Sequence, residues 1–212
     1  MENIRKDSGK EILLAMVKGI QENKAYLGEV DGLIGDGDHG MNMNKGFTLF
    51  ENRFGTKEFS FAEGLDELGN ILFSEIGGSM GPIYGTIFMD MATVGEEYEF
   101  IGVKELAHML ESGLHGLQEI VEAEVGDKTL VDTLSPAVMA LKDAEEQGTS
   151  MKEALERMKI AAENGRDSTK NMVAKFGRSS RLGERSRGVL DAGATSCCIL
   201  LDSMADAMIQ LL

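Results

Sequence analysis

"LAHMLESGLHGLQEIV", residues 106–121, sets Leu106, Leu110, Leu114, Leu117 and Val121 three or four positions apart, with Glu111, His115, Gln118 and Glu119 between them. Apolar side chains at that spacing share one face of a helix, so the stretch predicts an amphipathic α-helix with its leucines turned to a core. The same period runs outward in both directions. Upstream, Ile12, Leu13, Met16, Val17 and Ile20 form one stripe behind Ser8 and Glu11, and Phe61, Leu65, Leu68 and Leu72 form another behind Ser60 and Glu63. Downstream come Leu130, Leu134, Val138 and Leu141, then Met151, Leu155 and Met158 behind Ser150 and Glu153. Ala194, Cys197, Leu201, Met204, Met208 and Leu211 close the chain. Each serine–glutamate pair has the spacing of a capping box. Shorter helices are expected near Asn42 and at Pro82, where proline suits a first turn. Only "EYEFIGV" (97–103) hints at strand alternation. About eight helices with short loops and no marked linker predict an all-α fold, a single domain over residues 1–212.

Composition narrows the function classes. The 212 residues are 42% hydrophobic, enough for a real core. The apolar runs fall short of the roughly 20 residues that cross a bilayer, and "MENIRKDSGKEILLAM" turns polar early, so a cytoplasmic protein without membrane contact is expected. A net charge of −15 argues against nucleic acid as a partner, because phosphate contacts need a positive surface. Cys197 and Cys198 are the only cysteines; they lie side by side in an apolar run and are expected as core thiols. Seven of the 21 basic residues fall between Arg166 and Arg187, which suggests a small anion or an acidic partner there.

Four segments break the helical pattern with glycine: "GLIGDGDHG" (32–40), "GGSMGPIYG" (77–85), "VGDKT" (125–129) and "GRSSRLGERSRGVLDAG" (177–193). In an up-and-down bundle, alternate connections meet at one end, so these loops can build one site. Backbone N–H groups there, with helix N-termini behind them, favour anions. The first segment carries the most chemistry. Gly35-x-Gly37-x-x-Gly40 matches a dinucleotide fingerprint, but no strand precedes it, and Asp36 and Asp38 would repel a phosphate directly. A calcium loop counted from Asp36 puts Phe47 where a bidentate glutamate belongs. Asp31, Asp36 and Asp38 with glycine spacers instead suit hard divalent cations that bridge to phosphates. Two Mg2+ against three carboxylates leave a net charge of +1, which converts an anion-repelling loop into a polyphosphate clamp. His39 follows the third aspartate and is placed to hydrogen-bond phosphate or ribose. His108 and His115 sit in a helical stripe with no ligand partner in view.

"IGDGDHGMNMNKGF" (34–47), "GGSMGPIYGT" (77–86), "VGDKTLVDTLSPA" (125–137) and "GRSSRLGERSRGVLDAGATS" (177–196) together resemble, in order and spacing, the L subunits of dihydroxyacetone kinases. The resemblance implies an eight-helix antiparallel up-and-down barrel with ADP or ATP and two Mg2+ ions at one end. It implies Asp31, Asp36 and Asp38 as metal ligands, and His39 and Asn42 as contacts of the nucleotide phosphates. The turn through Gly78, Ser79 and Met80 would offer backbone donors to the phosphates. Gly126 and Thr129 would line the nucleotide pocket, Arg178 would pair with phosphate, and Asp191 and Gly193 would open the last helix beside the nucleotide. No catalytic nucleophile is implied in this chain. Its partners would be a K subunit that holds dihydroxyacetone through its own histidine and a phosphotransferase-system M subunit that recharges ADP, with a homodimer also open. Positioning and charge neutralisation would be the chain's work. Two alternatives stand beside that reading: a nucleotide-sensing regulatory or assembly protein, and an ATP-exchanging kinase acting on another small hydroxy compound.

Three departures mark the resemblance. Met80 stands where the related turn carries a hydroxyl that contacts phosphate, Arg181 where an aromatic is common, and Arg187 and Ala192 where an apolar residue and a proline are usual.

Overall fold

The structure, a computed structural model, describes residues 3–212. It is built almost wholly from helices: α1 (Gly9–Glu22), α2 (Lys24–Ile34), α3 (His39–Phe54), α4 (Phe61–Glu75), α5 (Met80–Gly95), α6 (Val103–Ile120), α7 (Val131–Glu146), α8 (Met151–Ser168) and α9 (Ala192–Gln210). Short 3-10 helices run over Lys6–Ser8, Thr169–Asn171 and Arg178–Ser186. The described residues thus hold nine α-helices where the periodicity predicted about eight. The addition is α2, whose buried stripe of Leu27, Val30 and Ile34 is diluted by Gly28 and Gly32. Glycine costs roughly 1 kcal/mol in a helix interior, which hides such a segment from a sequence reading. Asp31 consequently rides on the last turn of α2, not in a loop.

The predicted stripes form the core, except that Leu211 lies just past the end of α9 and is exposed. Ile12, Leu13, Met16, Val17 and Ile20 are buried on α1, Phe61, Leu65, Leu68 and Leu72 on α4, and Cys197 and Cys198 are free buried thiols on α9. Helices α4 to α9 each pack on the next, α9 packs on α1, and α1 packs on α4, so the packing closes on itself; α3 lies against α1, α2 and α4. One antiparallel pair of two-residue strands, β1 (Ile4–Arg5) and β2 (Phe100–Ile101), fixes the N-terminal segment beside the start of α6 with Ile4 opposite Ile101. The alternation seen in residues 97–103 thus becomes a minimal strand.

The capping pairs divide by backbone conformation. Ser60 is extended (φ −72°, ψ 165°) and forms the full reciprocal box with Glu63; Ser150 (φ −65°, ψ 155°) accepts from the Glu153 N–H. Ser8 makes no cap bond, because the preceding 3-10 turn holds it at ψ 14°, outside the extended region a capping side chain needs. Helix α3 begins at His39, three residues before the expected start, and α5 begins at Met80, two residues before the expected start at Pro82, which leaves the proline in the first turn. Helix α9 is long and apolar enough by composition to cross a membrane, contrary to the reading of the apolar runs, but most of it is buried between α1, α7 and α8.

Candidate functional site

A cavity of about 560 Å³ opens at one end of the helical array. The last turns of α2 and α6 reach its wall, and α3, α5, α7 and α9 all begin on it, at His39, Met80, Val131 and Ala192. A helix N-terminus carries N–H groups without intrahelical partners and the positive end of the helix dipole. Four of them around one cavity make a region ready for a multiply charged anion.

One side of the cavity is acidic. Carboxylate oxygens of Asp31, Asp36 and Asp38 all lie within 4.8 Å of one another. The local backbone explains how three negative groups meet. Asp31 Oδ2 accepts the His39 backbone N–H at 3.3 Å, which ties the end of α2 to the start of α3. Asp38 occupies the N-cap position of α3, yet its side chain makes no cap bond and stays free. Asp36 is ion-paired with Arg178, which reaches across from the third 3-10 segment. Gly40 permits the approach: a Cβ there would stand 2.1 Å from the Lys24 carbonyl oxygen, so only glycine lets α3 start this close to α2. Three converging oxygen donors, partly open to solvent, fit hard divalent cations such as Mg2+.

His39 is 5% exposed, and its Nε2 lies 2.9 Å from the Ser196 hydroxyl, which is 2.7 Å from the Tyr84 hydroxyl. Burial pushes the imidazole pKa down to about 4, against the pull of the Asp31 charge, so the ring is neutral at pH 7.

The wall opposite is the connection from α6 to α7. Asp132, 1% exposed, accepts the backbone N–H of Gly126 at 2.6 Å and of Thr129 at 2.7 Å. Between them Lys128 turns its chain into the left-handed region (φ 63°) and sends a buried ammonium to the carbonyls of Thr169 (2.6 Å) and Val189 (2.5 Å). Burial lowers its pKa. One lysine thereby joins three stretches of chain behind the cavity. Asp191 caps α9 by accepting from the Ala194 N–H at 2.8 Å, and burial raises its carboxyl to about 6.

Of the residues singled out from sequence, Asp31, Asp36, Asp38, His39, Asn42, Gly78, Ser79, Met80, Thr129, Arg178, Asp191 and Gly193 line this one cavity. Gly126 does not; its N–H is spent on Asp132, so it braces the wall from behind. The basic cluster also resolves unequally. Arg178 alone of its members lines the cavity, while Lys175 pairs with Asp127 and Arg187 pairs with Glu184 and donates to the Asn171 carbonyl. Arg187 therefore braces the loop, and Arg181 is exposed. His108 and His115 are exposed and are not among the residues that line the cavity. Sequence reasoning missed Lys128 and Asp132, which read as ordinary charged residues, and the apolar wall of Leu117, Val121, Leu130 and Phe176.

The DAK2 domain family matches residues 33–206. Over 183 residues, 85% of this chain and 86% of the other, the sequence is 38% identical to the "PEP-dependent dihydroxyacetone kinase, ADP-binding subunit DhaL" of Escherichia coli (strain K12). It is 36% identical over 186 residues, 87% and 88% of the two chains, to the corresponding subunit of dihydroxyacetone kinase 1 from Listeria innocua. Among solved structures, the dihydroxyacetone kinase from C. freundii in complex with AMP-PNP and Mg2+ superposes with a TM-score of 0.72 over 93% of this chain and 33% of that one. At 19% identity that likeness establishes a shared fold.

Proposed function

The chain belongs to the DAK2 domain family, and from that premise we propose that it is the cytoplasmic ADP-binding subunit of a dihydroxyacetone-type kinase, residues 1–212 acting as one domain. The observation that carries the reading is the cavity itself: three aspartates within 4.8 Å of one another share a single space with four helix N-termini. Asp31, Asp36 and Asp38 would hold two Mg2+ ions, whose charge neutralises the polyphosphate as the phosphoryl group moves. Met80 and Ala192, at the N-termini of α5 and α9, offer backbone N–H groups to phosphate oxygens. The apolar wall of Leu117, Val121, Leu130 and Phe176 accepts the base. Arg178 balances Asp36 in the absence of ligand; once a metal engages that carboxylate, the guanidinium is free to pair with phosphate.

The chain positions and neutralises, and the acceptor comes on a partner. A K subunit presents a short ketose such as dihydroxyacetone, and an M subunit of the phosphotransferase system recharges the ADP, which stays bound as a cofactor. The test is to purify the chain and identify what copurifies. Bound ADP that exchanges slowly with added ATP and supports transfer to dihydroxyacetone with K and M partners is the expected result. Fast ATP exchange with turnover in the absence of any phosphotransferase protein would replace the cofactor mode with an ATP-consuming kinase. Met80 on the cavity wall favours a second reading, a nucleotide-sensing regulator, because a thioether offers phosphate no proton. Full transfer with a K partner excludes it.

A further inference from the structure

Tyr84, Ser196 and His39 form a buried chain of hydrogen bonds that phosphate binding and metal binding, as described, do not use. Tyr84 on α5 and Ser196 on α9 are both sealed, with their hydroxyl oxygens 2.7 Å apart. Ser196 Oγ is 2.9 Å from His39 Nε2 and 3.1 Å from the Gly193 carbonyl on its own helix. His39 Nδ1 has no hydrogen-bond partner among the described residues, and His39 itself lines the cavity.

The protons give this chain a direction. Each hydroxyl has a single proton to donate. Tyr84 chooses between Ser196 at 2.7 Å and the Gly193 carbonyl at 3.4 Å, and the shorter contact takes it. Ser196 then donates to Nε2 or to the Gly193 carbonyl, which the α9 ladder already engages. The imidazole lone pair is the nearer acceptor and has no other donor. His39 Nε2 therefore accepts from the Ser196 hydroxyl, and an imidazole that accepts at Nε2 carries its proton on Nδ1.

We propose that Tyr84 is a positioning residue that, through Ser196, holds His39 as the Nδ1–H tautomer and so aims a hydrogen-bond donor at an oxyanion in the cavity. That this anion is a nucleotide phosphate rests on the function proposed above; the tautomer does not. Removing the tyrosine hydroxyl reverses the polarity. Ser196 Oγ, left without an incoming proton, then gains by accepting from Nε2–H while donating to Gly193, and Nδ1 presents a lone pair to the anion.

The experiment uses Tyr84→Phe, which keeps the ring stacked on Phe88, 5.9 Å between centroids. The chain has three histidines, so the double variant His108→Gln, His115→Gln leaves His39 as the only imidazole signal. Long-range 15N–1H correlation spectra of 15N-histidine protein report which ring nitrogen is protonated, with and without Mg2+ and ADP. The expected result is Nδ1–H in the Tyr84 protein and a shift toward Nε2–H in Tyr84→Phe. Mg–ADP affinity should fall about tenfold, the scale of one hydrogen bond to a charged group. Lost packing alone lowers the melting temperature without moving the tautomer. An Nε2–H ring in the Tyr84 protein, or an unchanged tautomer in Tyr84→Phe, overturns the proposal. If the tautomer swaps as expected but neither protein binds Mg–ADP, the relay stands and the nucleotide reading falls.

Discussion

Asp132→Asn should loosen the cavity wall at a cost that can be worked from its two bonds. The side chain is 1% exposed, and its two oxygens accept from Gly126 and Thr129 at 2.6 and 2.7 Å. Asparagine keeps the volume and one oxygen, but turns an NH2 against the second backbone donor. One charge-assisted bond, worth about 1.5–3 kcal/mol, is lost, and the other falls to the neutral range of about 0.5–1.5 kcal/mol. Asp132 also stands in the first turn of α7, where its charge favours the helix dipole by roughly 0.3–1 kcal/mol. Gly126 is only half-buried and regains water, so the net loss is about 2–3 kcal/mol. For a chain of this size that lowers the melting temperature by about 5–10 °C. Thr129 sits on the cavity wall, so the ligand must reorder the loop, and Mg–ADP binding should weaken about tenfold if roughly half of that loss reappears as ordering cost. Differential scanning calorimetry and isothermal titration check the two numbers. Asp143→Asn, exposed on the same helix, is the control and should stay within about 0.5 kcal/mol. A melting temperature within about 1 °C of the parent together with unchanged affinity would show that the loop does not depend on Asp132.

Other outcomes follow from the same geometry. Asp36→Ala should abolish Mg2+-dependent nucleotide retention while the helical circular dichroism spectrum stays unchanged, since Asp36 is exposed and, among the described residues, paired only with Arg178; unimpaired retention would refute the clamp. EDTA should strip nucleotide from the parent protein, with added Mg2+ restoring it. Met80→Ser should preserve or raise transfer activity, measured with K and M partners, and a sharp loss would mean that this turn holds phosphate by another arrangement. Asp202 has one buried oxygen without a partner among the described residues, and burial raises its carboxyl to about 6. The folded protein therefore binds an extra proton between about pH 6 and the unfolded value near 3.9, so this group adds stability as pH falls through 6 and loses it as pH rises. Asp202→Asn should remove that increment and, with solvent screening allowed for, stabilise the protein by up to about 1 kcal/mol at pH 7.5. Urea unfolding at pH 5 and pH 7.5 measures both, and a less stable Asp202→Asn at pH 7.5 contradicts the reasoning.

What a sequence discloses here depends on whether a residue's role is local. The leucine stripe of 106–121 specifies its helix because burial acts position by position, and the same holds for α1 and α4. Ser60 and Ser8 had the same spacing to a glutamate and met different fates, since the cap depends on a backbone angle that the preceding 3-10 turn decides. The aspartates were legible because no packing role accounts for three of them among glycines. Lys128 was not, because nothing in "GDKT" says that its ammonium will be buried against carbonyls 41 and 61 residues away. Gly126 and Asp132 show the same limit: the glycine looked like the wall, yet the aspartate six positions on shapes it. The unexplained members of the basic cluster shrink in the same way, since Arg187 serves the Asn171 carbonyl and Glu184, and only Arg178 meets the acids. That last pair joins the basic segment to the acidic loop. A loop of aspartates needs cations, and the fold supplies one from residue 178, so its displacement by metal is what would couple the acidic loop to the phosphate it would otherwise repel.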